Sequence, residues 1–385
     1  MKFLKGLLKF LVVLIALTVV ILYITDTDYL LKAVRTIYLR GHTTAYLEDY
    51  KYFDNEPIEA GTPEPWPIHK DYNTIDATEK LRQVNNDWGT IAYVIIKNDS
   101  IWFEEYFEDF GENSKSNSFS MAKSYVSGLM GKAIMEGHIK SLDQPICDFL
   151  PEFCDGLAAK TTVGDLSSMA SGTNWDEAYY SPLSITTRAY FDDNLAKVIN
   201  GLEVVNQPGQ SFKYASGDTQ MLAMVIEKAT GKKMYDYLEE SFWKPLGSIN
   251  STLWQVDSEE YDLVKAYCCI ASNAKDFARF GKLYKDHGKW NNQQILDSAF
   301  VAKSLKPRFQ DSPEYGYGWW LHQQDGKNFF MMRGHLGQYV IVEPEDNVII
   351  VRLGHQKSPD EGIGVYTRDI SVYIEEAYKM MKTKH

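Results

Sequence analysis

Apolar positions fall into three patterns along this chain of 385 residues, and each predicts a different kind of element. The first is a nearly unbroken apolar run from Phe10 to Ile24, preceded by Lys2, Lys5 and Lys9. With Leu7 and Leu8 it reaches the roughly 17 to 25 residues that span a bilayer, provided Lys9 snorkels to the interface. Basic residues in front of it favour a cytoplasmic start. The run ends in Ile24-Thr25-Asp26-Thr27-Asp28 without a small-x-small cleavage site, which favours an uncleaved signal anchor over a cleaved signal peptide. Residues 1–28 are then a transmembrane anchor, and the rest of the chain lies outside the cytoplasmic membrane. Residues 29–74 mix charges with aromatic side chains and close on Pro57, Pro63, Pro65 and Pro67 around Gly61, which reads as a stalk or lead-in.

The second pattern is short β-branched and aromatic runs bounded by turn residues. Ile91–Ile96 and Ile101–Phe103 flank Asn98-Asp99 as a hairpin. Gly316–Leu321, Asn328–Met332, Gln338–Val342 and Val348–Leu353 are four further runs, whose short connections predict antiparallel neighbours. The third pattern is helical spacing: Val126, Leu129, Met130, Ala133 and Ile134 after Ser120, then Met221, Leu222, Met224, Val225 and Ile226 after Tyr214, and an amphipathic Tyr366 to Met381. Strands at both ends around a mostly helical middle predict one α+β domain over residues 75–385. Its antiparallel sheet is assembled from distant parts of the chain, with a cleft between the halves.

Composition narrows the function. A formal net charge of −12 disfavours a nucleic-acid partner, because Lys and Arg do not cluster beyond the first residues. The 8 histidines show no His-x-x-x-His spacing and the 4 cysteines no Cys-x-x-Cys, so neither metal nor other cofactor is expected. Buried thiols are the expected state of the cysteines, with a Cys147–Cys154 bridge across Pro151 as the alternative; the adjacent pair Cys268 and Cys269 makes an improbable disulfide.

One stretch brings a nucleophile and a base together by local geometry. Ser120 and Lys123 in Ser-Met-Ala-Lys share a helix face, and the apolar helix behind them supplies the burial that neutralises a lysine. Free N–H groups at the helix start favour negative charge near Ser120. Tyr214, which opens a loop before the second helix, is a candidate to point its phenol beside Ser120.

Ser120-Met121-Ala122-Lys123, Tyr214-Ala215-Ser216 and His335-Leu336-Gly337, in this order and at these separations, resemble the serine β-lactamase and penicillin-binding-protein superfamily. The likeness is to its class C branch, which includes esterases, D-aminopeptidases and 6-aminohexanoate-dimer hydrolases. The resemblance implies a β-lactamase/D,D-peptidase-like fold, with Ser120 acylated, Lys123 as base or relay, and Tyr214 exchanging protons with nucleophile and leaving group. It further implies that His335 stands where many members carry a lysine. The backbone N–H groups of Ser120 and Gln338 would form an oxyanion hole, with Gly337 and Ser216 beside the substrate. Ser216 in place of asparagine and His335 in place of lysine favour a small-molecule ester or amide substrate. The alternatives are a β-lactamase or peptidoglycan D,D-peptidase, and an inactive peptide- or partner-binding protein of the same fold. The implied location is membrane-anchored, on the outer side of a bacterial cytoplasmic membrane.

Overall fold

The computed structural model describes residues 2–383. Helix α1 (Lys2–Ile24) stands clear of the remainder with none of its residues buried, and it alone among the described residues is long and apolar enough to cross a membrane. The lead-in is more ordered than its prolines suggested. It carries α2 (Tyr29–Thr36) and β1 (Asn55–Ile58), and Tyr29, Ala33, Ile37 and Phe53 form a small core with Phe191 of the domain. The proline-rich run begins inside β1, where Pro57 is tolerated because β1 is the edge of its sheet.

Helix α3 (Glu79–Asp87) is capped by Thr78, whose hydroxyl accepts from the Leu81 N–H. The predicted hairpin follows as β2 (Thr90–Lys97) and β3 (Ser100–Tyr106), turning through Asn98 and Asp99 with φ of 50° and 58°. A short β4 (Ser116–Asn117) leads through a 3₁₀ turn at Phe119–Met121 into α4 (Ala122–Met135), two residues later than the predicted start at Ser120. The helix is buried almost all round, and Gly128 and Gly131 admit the rings of Phe280 and Phe300 where any Cβ would collide.

The helical middle consists of α5 (Val163–Ser167), α6 (Ile185–Phe191), α7 (Leu195–Asn200), α8 (Ser216–Thr230) and α9 (Met234–Leu238). It is followed by β5 (Thr252–Gln255), β6 (Ile270–Ser272), α10 (Ala274–Lys285), a small hairpin of β7 (Lys289–Trp290) and β8 (Gln293–Gln294), and α11 (Ser298–Ser304). The chain ends in β9 (Trp320–Gln324), β10 (Lys327–Gly334), β11 (Gln338–Glu343), β12 (Val348–Gly354) and α12 (Arg368–Lys382). The strand expected at Gly316–Leu321 starts later, because Gly318 turns with φ of 78° against Ser127 on α4.

The main sheet runs β3-β2-β12-β11-β10-β9, antiparallel throughout, so residues near 95 and near 350 are hydrogen-bonded neighbours. Alternate residues face different cores: Val94, Ile96, Val340 and Val351 pack toward the helical middle, while Tyr93, Ile95, Tyr339 and Ile350 pack under α3 and α12. Coverage of both faces explains why these strands read as continuous apolar runs rather than as alternation. A second sheet, β1-β5-β6-β4, ties the lead-in to the residues just before Ser120. Both bridges form where buried thiols were expected: Cys147–Cys154, the alternative, and Cys268–Cys269, the improbable one. The adjacent pair is accommodated by Cys269 at φ 77° in the turn before β6.

Candidate active site

The loop that delivers Ser120 is held from both sides. Asn117 pairs with Ala271 across β4 and β6, the Ser118 N–H donates to Ile270 O at 2.7 Å, and its hydroxyl accepts from the Ile270 N–H at 3.0 Å. Phe119 occupies the left-handed region at φ 45°, a conformation costly for an aromatic residue and offset here by its N–H bond to Asn117 Oδ1 at 2.9 Å. The turn lifts Ser120 into a cavity while Phe119 and Met121 stay in the core.

Lys123 lies one turn on, 3 % exposed, with its Nζ 2.9 Å from Ser120 Oγ. The ammonium also donates to Tyr267 O at 2.8 Å. Burial brings its pKa down to about 8, against the opposing pull of the Glu177 carboxylate. About a tenth of the amine is therefore neutral at pH 7, the state a base requires. The carbonyl at Tyr267 is fixed by the two residues after it: Cys268 and Cys269 are bridged, and Cys268 O accepts from the Trp254 indole at 2.9 Å.

Tyr214 precedes α8 and packs against Trp320 and Tyr315, with its ring 5.1 Å from Lys123 Nζ. Burial and then the Glu177 carboxylate push its phenol well above the ordinary range, against the opposing effect of a hydrogen bond with Ser120. It is a neutral phenol, suited to giving a proton rather than taking one. Ser216, at the first position of α8, donates its N–H and its hydroxyl to the two oxygens of Glu177, at 2.8 and 2.6 Å. The same carboxylate accepts from Trp175 Nε1 at 2.6 Å and Tyr179 OH at 2.5 Å. Glu177 thus joins the loop to the start of α8, where a carboxylate is favoured by the helix dipole. Nothing in the sequence around Glu177 gives it this role.

His335 faces Ser120 across the cavity, stacked on Tyr179 at 5.4 Å and edge-on to Phe119 at 5.5 Å. Burial, aided by the nearby Lys357 charge, lowers its pKa to about 4, so the ring is neutral at pH 7. Gly337 and Gln338 stand behind the cavity wall. Leu336 and Gly337 take φ of 62° and 85°, and the buried Arg352 guanidinium donates to both of their carbonyls at 3.0 and 2.8 Å. The Gln338 side chain bonds Gly354 in both directions. Gly334 lets β10 pass the nucleophile loop, since a Cβ there would sit 2.3 Å from Ser118 O. The signal for Arg352 was present in the sequence, as a lone arginine in an otherwise apolar strand.

The structure therefore gathers Ser120, Ser216 and His335 on one cavity of about 290 Å³, with Lys123 and Tyr214 packed beside Ser120 and with Gly337 and Gln338 following His335 at the turn into β11. Such a set can move a proton from a hydroxyl to an amine and present a nucleophilic oxygen. Among the described residues no group of three or more His, Cys, Asp or Glu side chains is placed to hold a metal ion.

Comparison with known proteins points the same way. The family profile described as Beta-lactamase matches residues 76–372. The 6-aminohexanoate-dimer hydrolase of Paenarthrobacter ureafaciens is 22% identical over 307 residues, covering 74% of this chain and 76% of that protein. Among solved structures, a Bacillus anthracis protein assigned as a 6-aminohexanoate-dimer hydrolase superposes with a TM-score of 0.71 at 19% identity, over 87% of this chain and 92% of that one. A penicillin-binding protein from Bacillus halodurans superposes with a TM-score of 0.61 at 18% identity, over 77% and 99%.

Proposed function

This chain belongs to the Beta-lactamase family, and from that membership we propose that it is a membrane-anchored serine hydrolase that cleaves an ester or small amide through an acyl-enzyme on Ser120. The observation that carries the proposal is the 2.9 Å contact between Ser120 Oγ and a buried Lys123 whose pKa is lowered to about 8. Neutral Lys123 takes the Ser120 proton as Oγ attacks the substrate carbonyl carbon. Backbone N–H groups of Ser120 and Gln338 stabilise the oxyanion of the tetrahedral intermediate. The bond to the leaving group then breaks, and Tyr214 protonates the departing oxygen or nitrogen and regains its proton from the Lys123 side. Water attacks the acyl-enzyme by the same route, releasing the acid. The high phenol pKa of Tyr214 supports Lys123 as the base and the tyrosine as the donor.

Neutral His335 offers no fixed cation for a β-lactam or peptide carboxylate, which favours this reading over a β-lactamase or D,D-peptidase. Helix α1 serves as the anchor, with the domain outside the cytoplasmic membrane. The test is intact-mass analysis of the full chain after a fluorophosphonate probe, with p-nitrophenyl acetate turnover in parallel. A single adduct and ester turnover, both abolished in Ser120→Ala, are expected. A folded wild type that neither labels nor turns over ester would move the protein to the binding-only alternative, and faster turnover of a chromogenic cephalosporin than of ester would move it to the β-lactamase one.

A further inference from the structure

The cavity in front of Ser120 is roofed by the segment that leaves the anchor. Leu30, Ala33, Val34 and Ile37 line it, the i, i+3, i+4, i+7 stripe of α2 and its cap, and that stripe is usually spent on a core. Here Ala33 and Ile37 share the small core with Phe191 while Val34 is 44 % exposed, and all four also line the cavity. The remaining wall is aromatic and hydroxyl-bearing, and none of the lining side chains carries a charge, His335 being neutral. A charged substrate group would lose its hydration there without a partner, whereas an apolar chain would gain by burial.

The position of α2 over the cavity is fixed next to the anchor. Asp26, two residues past α1, pairs with Arg188 and with Lys197 at 2.9 Å, and Tyr29 OH donates to Pro182 O at 3.0 Å. Tyr38 and Tyr180, both on the cavity wall, are 57 % and 76 % exposed, and Leu39 and Leu183 beside them in sequence are more than two-thirds exposed. Exposed apolar residues at the mouth of a cavity are a liability in water and an asset at a lipid surface.

We propose that this cavity is an acyl-chain site: the substrate is an ester or amide whose acyl part is an apolar chain of several carbons, entering Ser120 from the bilayer surface beside the anchor. The proposal rests on the Ser120 hydrolase reading and adds the substrate class. The chain lies under α2, the carbonyl sits at Ser120, and the acyl group is the part retained on Oγ when the alcohol or amine departs with its proton.

The test uses the full-length chain in phosphatidylcholine vesicles, with p-nitrophenyl acetate and p-nitrophenyl decanoate as substrates for wild type, Val34→Lys and Val34→Leu. The decanoate kcat/KM should exceed that of acetate by at least about tenfold, a ratio that Val34→Leu keeps and Val34→Lys lowers by a similar factor. Decanoate loaded into the protein's own vesicles should be turned over faster than decanoate in separate ones. Equal efficiency on the two esters in wild type, or a ratio that Val34→Lys leaves unmoved, overturns the acyl-chain site while the hydrolase stands. Equal rates for the two vesicle arrangements overturn entry from the bilayer. Failure of wild type on both esters overturns the hydrolase reading itself, and the acyl-chain site with it.

Discussion

The floor and the roof of the cavity are built on opposite principles. The floor is polar and over-determined: Ser120, Lys123, Tyr214 and Ser216 sit in a network whose members are buried or half-buried and whose backbone is pinned by Asn117, Ser118, Tyr267 and Arg352. The roof is apolar and lightly attached, α2 resting on α6 through a small separate core and a few partly exposed ion pairs. A floor of this kind fixes which bond breaks, because proton transfer tolerates little displacement. A roof of the other kind chooses which molecule arrives.

That division predicts damage of two sorts. Loss of the nucleophile should be the largest: Ser120→Ala is expected to lower kcat by about 10⁴-fold or more for every ester alike, measured by p-nitrophenol release. Equal loss on all chain lengths marks the floor, and a loss confined to one length would blur the distinction. Next is Gly334→Ala, whose added methyl would press on Ser118 O and move the end of β10 away from the Ser120 loop; a drop of about 10²-fold in kcat with a retained fold by circular dichroism is expected.

The pH profile should show a smaller but sharper effect. In the proposed mechanism the active form of Lys123 is neutral, and with its pKa lowered to about 8, kcat/KM should rise with pH, about tenfold per unit well below that value, and level off above it. The Glu177 charge works in the opposite direction on that amine, so Glu177→Gln should shift the rising limb to lower pH. A limb that moves to higher pH would contradict the assignment of Lys123 as base. The smallest effect belongs to the roof's attachment: Asp26→Asn removes a carboxylate that is half exposed and should cost well under about 1 kcal/mol in thermal unfolding.

Much of the floor could be read in advance because it depends on short spacings. Ser120 and Lys123 are brought together by one helical turn, and the Phe119–Met121 turn altered the helix start without separating them. The strands of the main sheet were readable too, although their order was not, since β2 pairs with β12 across the whole length of the domain. Glu177 and Arg352 escaped assignment for a related reason. A carboxylate on a loop and an arginine in a strand acquire their roles only from the carbonyls and hydroxyls that distant segments bring to them.

The lead-in shows the limit most clearly. Its composition of charges, aromatics and prolines describes irregular chain, and nothing local says that Asp49 is fully buried beneath Tyr190 and Asn117. Burial raises that carboxyl to about 6, against the opposing hydrogen bonds from Tyr190, Asn117 and the Tyr46 N–H. The apolar N-terminal helix, the two-sided strands and the serine–lysine pair were written into the linear order of residues, because each is a pattern of near neighbours repeated at the period of one element. Closure of the segment after that helix over Ser120 was settled by packing in three dimensions. That outcome depends on surface matched between residues more than a hundred positions apart, and no periodicity encodes it.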